Sequence, residues 1–273
     1  MTARMRGRVL LGWLAREDAI KYLQQDCLFD PALTDEQAST LWAEKKAVVD
    51  ALEPRPIASP ARLEMTLVER EAANRFLNFH RRKPGGLGAI QEVIKIDPRG
   101  LVLRQFDINI DRANEHAAHI QSQTWCARNC LTTERNNASV NFVTLPNGWN
   151  FALPHGEFLL AFNGQAFAIV QGAPHVSVST IGTRTVLWAG YHRCYARAAT
   201  VNPAITDRSV LAAFTTEGNL GVATNQMLRD LLLGERPPLL ADFLDERLFI
   251  EVELRRKRYE LQVRAEVARI NAQ

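Results

Sequence analysis

The spacing of apolar residues predicts helices through the first ninety residues of the chain. Apolar positions recur at helical intervals over residues 16–25, 37–52 and 69–79. Gln37 follows Thr34 at the third position, which is the spacing of a capping box. Glu69 follows Thr66 in the same way. In such a box the two side chains satisfy backbone groups that have no partner inside the helix. We therefore predict a helical N-terminal region over residues 1–84.

Past residue 88 the pattern changes to short apolar runs that end at turn residues. Residues 83–88 contain three glycines and a proline, so we place a domain boundary there. Strands are predicted over residues 93–96, 101–106, 142–145, 158–162, 167–170, 176–179, 185–188 and 248–254. Helices are predicted over residues 111–125, 209–214, 224–233 and 255–270. The sequence thus predicts an α+β fold, in which a mixed β-sheet with flanking helices over residues 89–273 follows the helical region.

Two turns are predicted to join neighbouring strands as hairpins. Residues 97–100, which read Asp-Pro-Arg-Gly, separate the first two predicted strands. Asn163 and Gly164 separate two later ones, and Asn-Gly is the strongest short hairpin signal in the chain.

Composition indicates an ordinary globular protein and excludes several classes. The net charge of +3 is too small to indicate nucleic-acid binding by itself. The apolar run near the start, residues 9–14, is far shorter than the roughly 20 residues of a membrane span. Charged residues follow it instead of a cleavage site, so we expect neither a signal peptide nor a membrane partner. Four cysteines are too few for a disulfide scaffold, which favours free thiols in a reducing cytoplasm.

Candidate chemistry is concentrated between residues 185 and 199. A β-branched and aromatic run ends at Gly190, His192 and Arg193 follow, and good helix formers come next. Such a strand, turn and helix start would direct amide N–H groups and two polar side chains at one point, which suits a phosphate. Arg193 would grip the anion with paired hydrogen bonds, and His192 would donate one. The alternative is a corner whose His and Arg cap backbone groups or face water.

These residues resemble the signature of the ParB/sulfiredoxin superfamily, in which a strand runs into a Gly-x-His-Arg or Gly-x-Arg-Arg turn at a helix start. The matching segment, residues 186–196, reads Val-Leu-Trp-Ala-Gly-Tyr-His-Arg-Cys-Tyr-Ala. Residues 172–178, Gly-Ala-Pro-His-Val-Ser-Val, resemble the family's glycine-proline-valine strand one hairpin upstream. The family includes partition proteins, sulfiredoxins and some nucleases. The resemblance implies that Gly190, His192 and Arg193 hold the phosphates of a nucleotide or nucleic acid.

His155 and Glu157 form a second constellation, because residues two apart on a strand point to one face. They could supply acid–base catalysis to a bound phosphate ester. With His175 or His192 they could instead form a three-ligand metal face. The alternative is a turn and a solvated strand. No full metal-ligand spacing is present, so we predict no metal site.

A further metal set is conceivable on one predicted helix. Cys126 and Cys130 lie four residues apart, and His116 and His119 lie upstream at spacing that would let both face one side. Ordinary half-buried thiols are the favoured interpretation.

A run of cations near the end of the chain, Arg255, Arg256, Lys257 and Arg258, could contact the phosphates of a nucleic acid or an acidic partner. Its place at a predicted helix start works against the helix dipole, which mildly favours a partner. The alternative is pairing within the chain, for which Asp242, Asp245 and Glu246 lie just upstream.

Two hypotheses therefore remain open at this point. The first is a phosphate- or nucleotide-binding protein of ParB/sulfiredoxin type, whether a nucleotide hydrolase, a nuclease or a binding protein. Its cofactor is left open, with a nucleotide and magnesium as the candidate. The second is a non-enzymatic module that uses its basic C-terminal helix to bind nucleic acid or a protein partner that the sequence does not specify.

Overall fold

The protein has an α+β fold, as the sequence predicts. The computed structural model describes residues 5–55, 59–81, 90–118, 120, 125–131, 141–144, 150–153, 158–163, 166–171, 175–203, 205–215 and 226–255. The helices in these ranges are α1 (Arg16–Gln25), α2 (Asp35–Asp50), α3 (Leu67–Arg81), α4 (Ile110–Ala118), α5 (Trp125–Asn129), α6 (Tyr191–Ala198) and α7 (Gln226–Leu233). The strands are β1 (Met5–Val9), β2 (Cys27–Leu28), β3 (Arg62–Leu63), β4 (Glu92–Ile96), β5 (Val102–Leu103), β6 (Asp107–Asn109), β7 (Asn141–Thr144), β8 (Asn150–Leu153), β9 (Phe158–Asn163), β10 (Ala166–Gln171), β11 (Ser177–Ile181), β12 (Arg184–Ala189), β13 (Val210–Thr215) and β14 (Ile250–Leu254).

Both predicted capping boxes are formed. The Thr34 amide donates to Gln37 Oε1 at 2.9 Å, and the Gln37 amide donates to Thr34 Oγ1 at 3.2 Å. The Thr66 amide donates to Glu69 Oε2 at 2.8 Å, and the Glu69 amide donates to Thr66 Oγ1 at 3.3 Å. Each box satisfies amides that the helix itself cannot, so α2 and α3 begin where the sequence predicts.

A four-stranded antiparallel sheet joins the two ends of the described chain. Its strand order is β2-β14-β1-β6. Strand β1 pairs with β14 in a register that runs from Met5 opposite Leu254 to Val9 opposite Ile250. It pairs with β6 on its other side. The first described residues therefore form a strand, whereas the sequence pattern predicted only helices in this part of the chain.

A six-stranded mixed sheet forms the centre of the fold, in the order β3-β4-β13-β11-β12-β5. Strand β13 lies inside it, parallel to β11 and antiparallel to β4. Every residue of β13 is buried. The helix predicted over residues 209–214 is therefore wrong. A short apolar run that is covered on both faces carries no alternation, and such a run cannot be distinguished from a helix by periodicity.

The hairpin predicted around residues 97–100 is also wrong. Strand β4 pairs with β3 and β13, whereas β5 pairs with β12. Pro98–Gly100 forms one 3₁₀ turn, and the Asp97 side chain accepts a hydrogen bond from the Arg99 amide at 2.9 Å. The turn sends the chain to the opposite edge of the sheet instead of back along β4.

The Asn-Gly hairpin is confirmed by the pairing of its two strands. Strands β9 and β10 are antiparallel, with Asn163 opposite Ala166 and Phe158 opposite Gln171. Strands β7 and β8 form a second antiparallel pair. The predicted strand, glycine and helix over residues 185–199 are confirmed as β12, Gly190 and α6.

The main hydrophobic core takes side chains from both sides of the predicted domain boundary. Phe76 of α3 belongs to the same buried cluster as Ile96, Leu187 and Leu211 of the large sheet. A polar contact reinforces this packing, because the buried Lys95 ammonium lies 3.1 Å from Glu69 of α3. The division into residues 1–84 and 89–273 remains a prediction.

Within the described ranges, none of the helices has both the length and the apolar character needed to cross a bilayer.

Candidate functional site

Gly190 makes the turn between β12 and α6. Its backbone is left-handed, with φ of 89°. A Cβ atom there would lie 2.8 Å from Val176 Cγ2 and 2.9 Å from Val176 Cα. Both the backbone conformation and the close approach to Val176 therefore require glycine at this position.

Helix α6 is buried along most of its length, and no described side chain caps its first turn. Tyr191 is buried, and its hydroxyl donates to the Leu187 carbonyl at 2.6 Å. His192 and Arg193 are half-buried. The first amides of a helix have no acceptor within it, and no described side chain accepts from those of α6. The start of α6 therefore retains hydrogen-bond donors and the positive end of the helix dipole.

The His192 imidazole is a neutral hydrogen-bond acceptor. Its Nε2 atom accepts from the Asn109 amide at 3.2 Å, which leaves the ring proton on Nδ1. Burial lowers the pKa of His192 to about 3, and the charges of Arg112, His116 and Arg193 act in the same direction. His192 is therefore uncharged near neutral pH and links α6 to the end of β6.

Basic side chains of α4 and α6 influence one another where the two helices pack. The cation cluster consists of Arg112 and Arg193, with His116 and the neutral His192 beside them. Burial lowers the pKa of Arg193, and the charge of Arg112 adds to the effect. Among the described residues, no hydrogen-bond acceptor or carboxylate pairs with the side chain of Arg112 or Arg193. The charges of the exposed Arg112 and the half-buried Arg193 thus repel each other, and neither side chain has an anionic partner among the described residues.

Asp111, which precedes Arg112 in the sequence, already pairs with Arg6. It accepts from the Arg6 amide at 2.8 Å and from Arg6 Nε at 3.0 Å. The hydrogen bond from the Arg6 amide lowers the pKa of Asp111 most, and the contacts with the Arg6 side chain lower it further. Asp111 therefore neutralises Arg6 and is not the anionic partner of Arg112 or Arg193.

The sequence analysis identified His192 and Arg193 but missed Arg112. A signal for it was present, because Arg112 and His116 are four residues apart on a predicted helix and so share a face. What the sequence could not supply was the packing of α4 against α6. That packing brings the two basic faces together from positions about 80 residues apart.

The second constellation lies outside the described residues. His155 and Glu157 both fall there, so their catalytic role stays a prediction. His175, considered as a third metal ligand, makes an edge-to-face contact with Phe76, with ring centroids 5.2 Å apart.

The described thiols are free and buried. Cys126 Sγ donates to the Ser209 carbonyl at 3.0 Å. His119 lies outside the described residues. Within them, no three His, Cys, Asp or Glu side chains are arranged to hold a metal ion.

The basic run at the C-terminal end is described only at its first residue. Arg255 donates from its amide to the Asp26 carbonyl at 2.8 Å and from Nε to the Cys27 carbonyl at 3.1 Å. Arg256, Lys257 and Arg258 lie outside the described residues.

Two of the three acids considered as partners of this run are engaged elsewhere. Asp242 forms an ion pair with Arg55, and Asp245 forms one with Arg247. The role of the run in binding nucleic acid or a protein remains a prediction.

Comparison with known proteins gives no relative. The chain matches no protein-family model, no curated protein sequence and no solved structure.

Proposed function

We propose that this protein binds a phosphate-bearing small molecule, with a nucleotide as the leading candidate, at the start of α6 beside the cation cluster. The supporting observation is the unpaired pair of guanidinium groups, Arg112 and Arg193, beside a helix start that has no side-chain cap. Each guanidinium charge disfavours the other, and an anion between them would relieve this repulsion.

The groups at the start of α6 are of the kinds that bind phosphate oxygens. Amide N–H groups at a helix start bind anionic oxygens, and guanidinium groups add charge-assisted hydrogen bonds. His192, expected to donate a hydrogen bond to the phosphate, has only one ring nitrogen left for that role. Its Nε2 is occupied by Asn109, so it fixes the helix start and offers only Nδ1–H to a ligand. The resemblance to the ParB/sulfiredoxin turn at Gly190, His192 and Arg193 points to the same ligand class.

The proposal concerns binding and assigns no reaction. Hydrolysis of a bound phosphate ester would need an acid–base pair, for which His155 and Glu157 remain the predicted residues. Magnesium would act as the counterion of the phosphates in such a complex.

Calorimetric titration with AMP and ATP, with and without magnesium, tests the proposal. Arg193→Met should weaken AMP binding about 10- to 100-fold, because a hydrogen bond to a charged group contributes about 1.5–3 kcal/mol. Adenosine, which lacks phosphate, should bind neither protein. Arg247→Met removes the same charge from an exposed side chain that pairs with Asp245, and it should bind AMP as the wild type does.

Equal AMP affinity in wild type and Arg193→Met would contradict the assignment. So would equal affinity for AMP and adenosine, since the phosphate would then contribute nothing.

A further inference from the structure

An exposed apolar patch lies beside strand β3, at one edge of the large sheet. Three of the five large apolar side chains that are exposed in the described part of the chain belong to this patch. They are Leu63 in β3 and Leu67 and Val68 in the first turn of α3, with exposed fractions of 43%, 67% and 46%. Exposed apolar side chains that cluster in this way are typical of an interaction surface, whereas isolated ones are common and need no partner.

Strand β3 has an edge that no described strand covers. It stands first in the order of the large sheet and pairs there with β4, with Arg62 opposite Ile96 and Leu63 opposite Lys95. The outer side of an edge strand presents backbone N–H and C=O groups that can pair with a strand of another chain. Both residues of β3 are exposed, and so is Glu64, which follows them. The backbone is therefore open to a partner beside the apolar patch.

The charges on either side of Leu63 are complementary to those of a second copy of this chain. Arg62 precedes Leu63 and Glu64 follows it. When two copies pair antiparallel about Leu63, Arg62 of each copy lies opposite Glu64 of the other, on one face of the sheet. An unrelated strand would gain the backbone hydrogen bonds but not both of these charge pairs.

Both charged side chains are accessible for such a contact. Arg62 Nη1 lies 2.7 Å from Glu92 Oε1, but the Arg62 side chain remains 56% exposed, and a guanidinium has five donors. No described cation pairs with Glu64, which is exposed. Its carboxylate therefore has no competing partner among the described residues.

We propose that this protein forms a homodimer in which β3 pairs antiparallel with β3 of a second copy, so that the patch of Leu63, Leu67 and Val68 is covered on both. A two-fold axis at Leu63 makes the contact self-complementary, as in most homodimers. Because the strand and the patch are small, the dimer is weak and its population rises with protein concentration. The surface includes no residue proposed to bind phosphate, so the dimer and the nucleotide site stand or fall separately.

Sedimentation velocity of the full chain at low and high micromolar concentration tests the proposal. The mean mass of the wild type should rise with concentration toward that of a dimer. Leu67→Asp places a charge in the contact and should weaken dimerisation about tenfold or more. Leu67 is exposed in the first turn of α3, where an acid is favourable, so the variant should still fold. Val201→Asp changes an apolar side chain that is 93% exposed after α6, and this control should dimerise as the wild type does.

An exchange of charges tests the antiparallel register. Glu64→Arg and Arg62→Glu each place like charges opposite one another, so each variant alone should dimerise more weakly than the wild type. When the two variants are mixed in equal amounts, both opposite-charge pairs are restored and a heterodimer should form. Circular dichroism checks that each variant is folded.

A wild type that stays monomeric at every concentration would overturn the proposal. A dimer that Leu67→Asp leaves unchanged, or that Val201→Asp weakens equally, would show that the patch is not the contact. Charge variants that associate no better when mixed than alone would exclude the antiparallel pairing of β3.

Discussion

Replacement of His192 by glutamine should reduce the pH dependence of the free energy of unfolding. Gln can still accept the Asn109 amide, but it cannot be protonated. The pKa of His192 falls from its ordinary value of 6.5 to about 3 in the folded protein. Between these two values the unfolded chain binds a proton that the folded chain does not, so stability falls as the pH falls through this window.

The size of the effect follows from the two pKa values. Lowering the pH from 7 to 5 should cost the wild type about 2 kcal/mol of unfolding free energy through His192 alone. Asp207 does not obscure this effect. Burial opposes its ionisation, but the Lys95 contact and the Ser209 hydrogen bonds lower the pKa of Asp207 to about 2, below the window.

Urea unfolding monitored by tryptophan fluorescence, at pH 7 and at pH 5, measures the difference between wild type and His192→Gln. The variant should lose about 2 kcal/mol less than the wild type over this range. A proton NMR titration checks the cause directly, because the His192 ring signal should not titrate above about pH 4.5. A ring signal that titrates near pH 6.5, or equal losses in both proteins, would refute the reasoning.

Two further substitutions test the packing that positions the site. Lys95→Met should cost about 3–5 kcal/mol in urea unfolding, because it leaves the buried Glu69 carboxylate unpaired, and Glu69→Gln in that background should restore part of the loss. An unchanged midpoint would contradict this. Gly190→Ala should cost about 1–3 kcal/mol through its φ of 89° and its clash with Val176. Gly182→Ala, with φ of 57° and a nearest contact of 3.3 Å, should cost less, and equal losses would count against the argument.

Local features were predictable from the sequence. The capping box at Thr34 and Gln37 depends only on residues three apart, so it forms as expected. The turn at Gly190 was predicted for the same reason, because a glycine between a strand pattern and a helix pattern marks a chain reversal.

Long-range pairing was not predictable. Strand β1 finds β14 and β6 through hydrogen bonds that have no signature in its five residues. Strand β13 was mistaken for a helix because its burial on both faces removes the alternation that identifies a strand.

The candidate site also combines a part that the sequence predicts with a part that depends on long-range packing. Arg193 follows directly from the motif, whereas Arg112 enters only because α4 packs against α6.

The measurement that bears most directly on the proposed function is an NMR titration of the ¹⁵N-labelled protein with AMP, followed at the backbone amides of Tyr191, His192 and Arg193. Binding of phosphate at the start of α6 predicts that these three signals move together and saturate. It also predicts that adenosine leaves them in place and that Arg193→Met needs at least tenfold more AMP for the same displacement. Amides that stay still while AMP binds elsewhere, or that respond equally to adenosine, would contradict the account.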